Sequence, residues 1–136
     1  MTSRESKSIV FKSDRCIGCY SCVVSCMDQN DLDVARDDLS WRIVENVPGR
    51  LVGKHRGNAS VSIACMHCED AVCIAACPAG AITRDAATGS VLVDDGLCIG
   101  CHACAMACPF GAPRFGSSGK MQKCDGCYAR TQFGLE

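Results

Sequence analysis

A chain of 136 residues with 14 Lys plus Arg against 15 Asp plus Glu has a formal charge of −1 and no basic stripe interleaved with aromatics, which argues against a nucleic-acid partner. At this length one compact domain or two very small ones fit, and with aromatics at 5% a large apolar core is not expected. Cysteine accounts for 14 residues, so cysteine chemistry is the predicted substitute for that core.

Residues 1–8 are polar and lead into a short apolar run, so no secretory h-region is read there. No uninterrupted apolar stretch approaches the ~20 residues needed to cross a bilayer, and any membrane attachment is expected through another subunit. Many cysteines without an export signal favour a reducing compartment and metal ligation over disulfides. The first cysteine group is Cys16, Cys19, Cys22 and Cys26. Strands are predicted over residues 41–47 and 60–64, the second alternating cleanly into the next group, Cys65, Cys68, Cys73 and Cys77. A short helix over residues 72–77 is stopped by Pro78, because proline cannot continue a helix. Residues 81–84 and 90–93 flank a loop, residues 85–89, whose Asp85 and Gly89 suit a hairpin. The third group, Cys98, Cys101, Cys104 and Cys108, carries a second short helix over residues 103–108, stopped by Pro109. Residues 116–119, Gly-Ser-Ser-Gly, read as a flexible connector into Cys124 and Cys127.

The first and third groups share Cys-Ile-Gly-Cys and the spacing that follows, which reads as an internal repeat. A 4Fe-4S cube needs four thiolates at its iron corners, and three near cysteines in one loop wrap it while turning backbone N–H groups toward sulfide. In two-cluster ferredoxins the remote cysteine of each run, followed by Pro, ligates the other cluster, and Cys77-Pro78 and Cys108-Pro109 repeat that feature. The crossing rule assigns Cys65, Cys68, Cys73 and Cys108 to one cluster and Cys98, Cys101, Cys104 and Cys77 to a second. Gly18, Gly100 and Gly126 stand between the first two ligands of their groups, where a side chain would crowd the cluster or a positive φ is required.

A disulfide scaffold fits poorly with such runs, and zinc knuckles seldom place three such cysteines in one run and then Cys-Pro. A zinc-stabilised interaction module is nevertheless the alternative from another class, and it predicts a colourless protein without acid-labile sulfide. His67 and His102 lie between ligands and read as residues behind the ligands or on the surface. Arg114, Lys120 and Lys123 lie near the last cysteines, where they could raise a cluster's potential or dock a partner but read first as solvated charges. No phosphate-cradling loop, dinucleotide fingerprint or nucleophile with its base is found, so no catalytic site is predicted.

Cys16-Ile17-Gly18-Cys19-Tyr20-Ser21-Cys22, the stretch from Cys65 to Pro78, Cys108-Pro109-Phe110-Gly111-Ala112-Pro113 and Lys123-Cys124-Asp125-Gly126-Cys127-Tyr128 together resemble the four-cluster iron-sulfur subunits of the dimethyl sulfoxide reductase, formate dehydrogenase and polysulfide reductase type. The resemblance implies an α+β fold of tandem ferredoxin-like modules, the second nested in the first. An inner two-cluster module would span residues 65–110, with the halves of an outer module at 1–64 and 111–136. It also implies outer sites at Cys16, Cys19 and Cys22, and at Cys124, Cys127 and Cys26, each one thiolate short. A fragment ending inside the fourth motif is the expected reason, ahead of a three-iron or otherwise ligated cluster or a ligand donated by a partner. The implied role is single-electron relay between a molybdopterin-type catalytic subunit and a membrane or soluble redox partner, in the cytoplasm or at a membrane through that partner, with co-export beside it open. A free-standing polyferredoxin or hydrogenase-associated carrier would differ in its docking surface.

Overall fold

The computed structural model describes residues 8–48 and 59–135. Most of the polar opening segment and Glu136 therefore lie outside the described residues. The fold is α+β, built of ferredoxin-like modules from short pieces. Four helices, α1 (Ser21–Gln29), α2 (Val72–Ala76), α3 (Ala103–Ala107) and α4 (Tyr128–Gln132), alternate with three two-stranded antiparallel hairpins. The hairpins pair β1 (Ile43–Val47) with β2 (Ala59–Ile63), β3 (Ile82–Arg84) with β4 (Val91–Val93), and β5 (Arg114–Phe115) with β6 (Met121–Gln122).

The brevity follows from the sequence. Helices α1, α3 and α4 begin immediately after a residue in the left-handed region, Tyr20 at φ 61°, His102 at φ 62° and Cys127 at φ 55°, so the chain leaves each cysteine loop by a sharp reversal. Helices α2 and α3 end at Cys77 and Cys108, both extended at φ near −80°, because the residue before a proline is pushed out of the helical region. Only α1 has no proline behind it, and it runs on for nine residues until Asn30, whose amide donates to Cys26 O at 2.8 Å.

The predicted helices over 72–77 and 103–108 and the hairpin over 81–93 are present within a residue at their ends. The strand read from residue 41 starts at Ile43, because Ser40 Oγ accepts from Arg42 N at 3.3 Å and donates to Arg42 O at 2.6 Å, closing a turn there. The β3–β4 loop is the turn that Asp85 was expected to make, its carboxylate accepting from Thr88 N at 2.8 Å and Thr88 Oγ1 at 2.7 Å. Residues 116–119 depart from expectation. They form the turn of the β5–β6 hairpin, with Gly119 N donating to Gly116 O at 3.0 Å and Ser117 Oγ to Arg36 O at 3.3 Å. Small residues there supply a tight reversal rather than slack.

The core is small, as composition required. Ile82, Val91, Cys104 and Met121 form its buried centre, with Ile74, Val93 and Phe115 packed on it. Helix α2 packs on α3, and this pair holds the third and fourth cysteines of both inner groups.

Candidate metal centres

The two inner quartets come together as the crossing rule placed them. Cys77, Cys98, Cys101 and Cys104 line one cavity of about 330 Å³, walled by Ala81, Ile82, Val93, Phe115 and Met121. Cys65, Cys68, Cys73 and Cys108 line a second of about 420 Å³, with Ala71, Val91, Phe110 and Lys123 in its wall. Pro109 lines the second cavity, whereas Pro78 is absent from the first. On each of the two helical runs the thiols four residues apart serve opposite cavities: Cys73 and Cys77 on the α2 run, Cys104 and Cys108 on the α3 run. One helical turn, about 6 Å of rise, therefore separates the two sets of walls.

The cysteine loops share one backbone shape. The residue before the second cysteine is left-handed in all four groups, Gly18 at φ 69°, His67 at φ 46°, Gly100 at φ 67° and Gly126 at φ 73°. That conformation turns peptide N–H groups onto sulfur: His67 N lies 3.4 Å from Cys65 Sγ and Gly126 N 3.4 Å from Cys124 Sγ. Met121 N adds a donor to Cys98 Sγ at 3.3 Å from the neighbouring hairpin. What a side chain would crowd at Gly100 is protein, since a Cβ there would meet Gly119 O at 2.6 Å; at Gly18 it would meet Ser60 Oγ at 2.7 Å.

Burial pushes the thiols of Cys73, Cys104, Cys124 and Cys26 above their ordinary value. Cys77 goes the other way: burial raises it, but the peptide N–H groups of Ala81, Ala79, Ile82 and Gly80 outweigh that and hold it down. Such a donor fan favours a thiolate. For Cys26 the neighbouring charges of Cys124 and Cys127 add to the rise and the Arg42 guanidinium opposes it, so Cys26 of α1 sits beside the last cysteine pair. Cys16, Cys19 and Cys22 are in neither inner cavity; Cys19 Sγ donates to Ser21 Oγ at 3.4 Å and Cys22 Sγ lies 3.5 Å from Ser62 Oγ.

The flanking residues have definite places. His67 Nδ1 accepts from Val91 N at 2.9 Å, which leaves the hydrogen on Nε2. Nε2 is buried without a partner among the described residues and faces the loop at Gly126. Burial first, then the Lys123 charge, lowers its pKa to about 4, so the ring is neutral. His102 is exposed and stacks on Phe115 with centroids 3.8 Å apart. Arg114 lies on β5, and Lys120 Nζ donates to Asp95 O at 2.5 Å. Lys123 is not the solvated charge the sequence suggested. It is 4% exposed, and its ammonium donates to Val91 O and to Cys124 O. Nothing in the spacing signals this, because the fold puts β4 over it.

Among the described residues no three Cys, His, Asp or Glu side chains close tightly enough to hold a single metal ion. Four thiols around an apolar cavity, with peptide N–H groups aimed at sulfur, instead fit a larger inorganic core that each iron corner shares with one thiolate.

Comparison with known proteins agrees. A model of the 4Fe-4S dicluster domain matches residues 59–136, and one of a 4Fe-4S binding domain matches residues 13–27. The chain belongs to the 4Fe-4S dicluster family. Among its relatives are the B subunit of the anaerobic dimethyl sulfoxide reductase of Haemophilus influenzae, 37% identical over 96% of this protein, and that of Escherichia coli, 40% identical over 90%. The formate dehydrogenase iron-sulfur subunit of Wolinella succinogenes is 44% identical over 83%. The chain spans 66%, 62% and 56% of the lengths of these relatives. It is thus a dicluster-family protein of the iron-sulfur subunit type that the motifs resembled, and zinc knuckles are set aside. No helix among the described residues is long and apolar enough to cross a membrane.

Proposed function

We propose that this chain relays single electrons through a row of 4Fe-4S clusters and performs no substrate chemistry itself. The observation that carries the reading is the exchange of Cys77 and Cys108, each lining the cavity of the other group's near cysteines. Cys65, Cys68, Cys73 and Cys108 hold one inner cluster, and Cys98, Cys101, Cys104 and Cys77 the other, within a module over residues 65–110. Cys124, Cys127 and Cys26 serve one outer centre, and Cys16, Cys19 and Cys22 another, on the flanking segments 1–64 and 111–136. A bound cube supplies one-electron redox chemistry without proton transfer. The chain's own part is to hold iron by thiolate, to stabilise negative charge with N–H groups such as those of His67, Gly126 and Met121, and to exclude water with Ile82, Val91 and Phe115. Helices α2 and α3 keep the inner cavities one turn apart.

The names of the relatives support a complex in which a molybdopterin-type catalytic subunit lies at one end of the row and a membrane or soluble redox partner at the other. The chain would then be cytoplasmic, or held at a membrane or exported beside that partner. Anaerobic reconstitution followed by iron and acid-labile sulfide analysis tests the core of the reading. About eight of each per chain are expected from the inner pair alone. A sample with neither would end it, and purification with or without partners separates a complex subunit from a free carrier.

A further inference from the structure

The two inner cavities are near copies in cysteine spacing, yet their walls differ in charge. A lysine is rarely buried unless it is paired, because removing an ammonium from water costs several kcal/mol, on the order of that for any small ion. Lys123 is 4% exposed, its two described acceptors are the neutral carbonyls of Val91 and Cys124, and among the described residues the salt bridge is Arg36 with Asp38, not one to Lys123. It lines the cavity of Cys65, Cys68, Cys73 and Cys108. Its charge reaches the ligands there, opposing the rise that burial imposes on the Cys73 thiol. The sister cavity has no Lys or Arg in its lining.

We propose that Lys123 is the resident countercharge of the centre held by Cys65, Cys68, Cys73 and Cys108, and makes it the more readily reduced of the inner pair. This rests on the reading that those thiols hold a cluster. Four thiolates around such a core carry net negative charge, which supplies the partner the ammonium otherwise lacks. Val91 fixes the geometry, its carbonyl taking Lys123 Nζ while its N–H goes to His67 Nδ1. Reduction adds one electron to the centre from an external low-potential reductant, with no bond made or broken and no proton moved at Lys123. A fixed positive charge therefore favours the reduced form directly.

The test is a potentiometric titration of the full, anaerobically loaded chain followed by electron paramagnetic resonance. Cys108→Ser and Cys77→Ser identify which signal belongs to which cavity. In the unmodified chain the Cys108-dependent centre must be reduced first; if the Cys77-dependent centre is reduced first, the proposal is overturned without any Lys123 variant. Lys123→Met is expected to cut the reduced-to-oxidised ratio of the Cys108-dependent centre at least tenfold at the potential where the unmodified chain is half reduced, about 59 mV for one electron. The Cys77-dependent centre should shift less than about twofold, equivalent to ~18 mV on the same scale. Lys123→Arg should restore most of the ratio. Equal shifts in both centres, or none with iron and sulfide content intact, would mean that Lys123 merely anchors the hairpins. Absence of iron and sulfide from the unmodified chain would instead strike the cluster reading itself.

Discussion

Replacing Gly100 by alanine separates two costs that usually come together. Gly100 and Gly126 occupy the same place in their loops, at φ 67° and 73°, so a Cβ at either carries the left-handed penalty of about 1–2 kcal/mol. Their surroundings differ. At Gly126 the new methyl would meet His67 Nε2 at 3.6 Å, an ordinary contact, whereas at Gly100 it would meet Gly119 O at 2.6 Å. That oxygen belongs to backbone in the β5–β6 turn, which is closed by Gly119 N on Gly116 O at 3.0 Å and cannot swing aside as a side chain would. Overpacking of this kind adds roughly 1–3 kcal/mol, so Gly100→Ala is expected to cost about 2–4 kcal/mol and Gly126→Ala about 1–2. Moving the turn also draws Met121 N away from Cys98 Sγ, now 3.3 Å distant, so the Cys77-dependent cluster should bleach first. Urea unfolding of the loaded variants, with visible absorbance and circular dichroism recorded together, measures both effects. If the two variants unfold within about 0.5 kcal/mol of each other, the clash with Gly119 O plays no part and the reasoning is refuted.

Three further outcomes are expected. Because the His67 pKa falls from 6.5 unfolded to about 4 folded, its stabilising contribution is full above pH 6.5 and drains as pH falls toward 4. At about pH 5 the half-buried ring should cost the fold about 1 kcal/mol that His67→Gln does not lose, read as the difference between their denaturation midpoints at pH 7 and 5; parallel pH profiles would exclude it. Arg84 donates to Glu69 O and Gly89 O at 2.7 Å and to Cys68 O, tying down the longer stretch between Cys68 and Cys73, so Arg84→Met should lower stability by about 1 kcal/mol and speed iron loss to a chelator from the Cys108-dependent centre. Stripping iron with acid and chelator should collapse hydrogen-exchange protection over β3, β4 and α3, since the buried apolar centre is Ile82, Val91, Cys104 and Met121. Reloading should then improve as pH rises from 7 toward 8.5, because burial holds Cys73, Cys104 and Cys124 protonated above the ordinary thiol value of 9.0 and each must shed its proton to bind iron. A pH-independent yield would contradict those shifts.

Local chemistry made much of this readable in advance. Cys-Pro stops α2 and α3 through the ring's effect on the preceding residue, Asp85 closes its turn with its own carboxylate, and the thiol spacing anticipated which cysteines would meet across the inner pair. What the sequence hid depends on long-range packing. The β5–β6 hairpin has two residues per strand, too few for a period, and its Gly-Ser-Ser-Gly turn has the composition of a loose linker. Helix α1 escaped notice because its cysteines and valines read as a ligand run rather than an amphipathic face. Tyr20 and His102 occupy left-handed positions usually marked by glycine, so nothing in their identity announced the reversal. Lys123 looked like any charge beside a cysteine until β4 was seen to cover it.

The three separate hairpins carry a consequence for the chain before it receives iron. Each of their strands lies at an edge, a place where another polypeptide can add on. Four of them are three residues long or shorter, and the longer pair interrupts its apolar positions with Glu45, Asn46, Ser60 and Ser62. An incoming segment finds too short a run of amide groups to grip. A nascent chain waiting for sulfide and metal is thereby kept from zipping onto its neighbours, and the weakness of its sheets guards it during assembly.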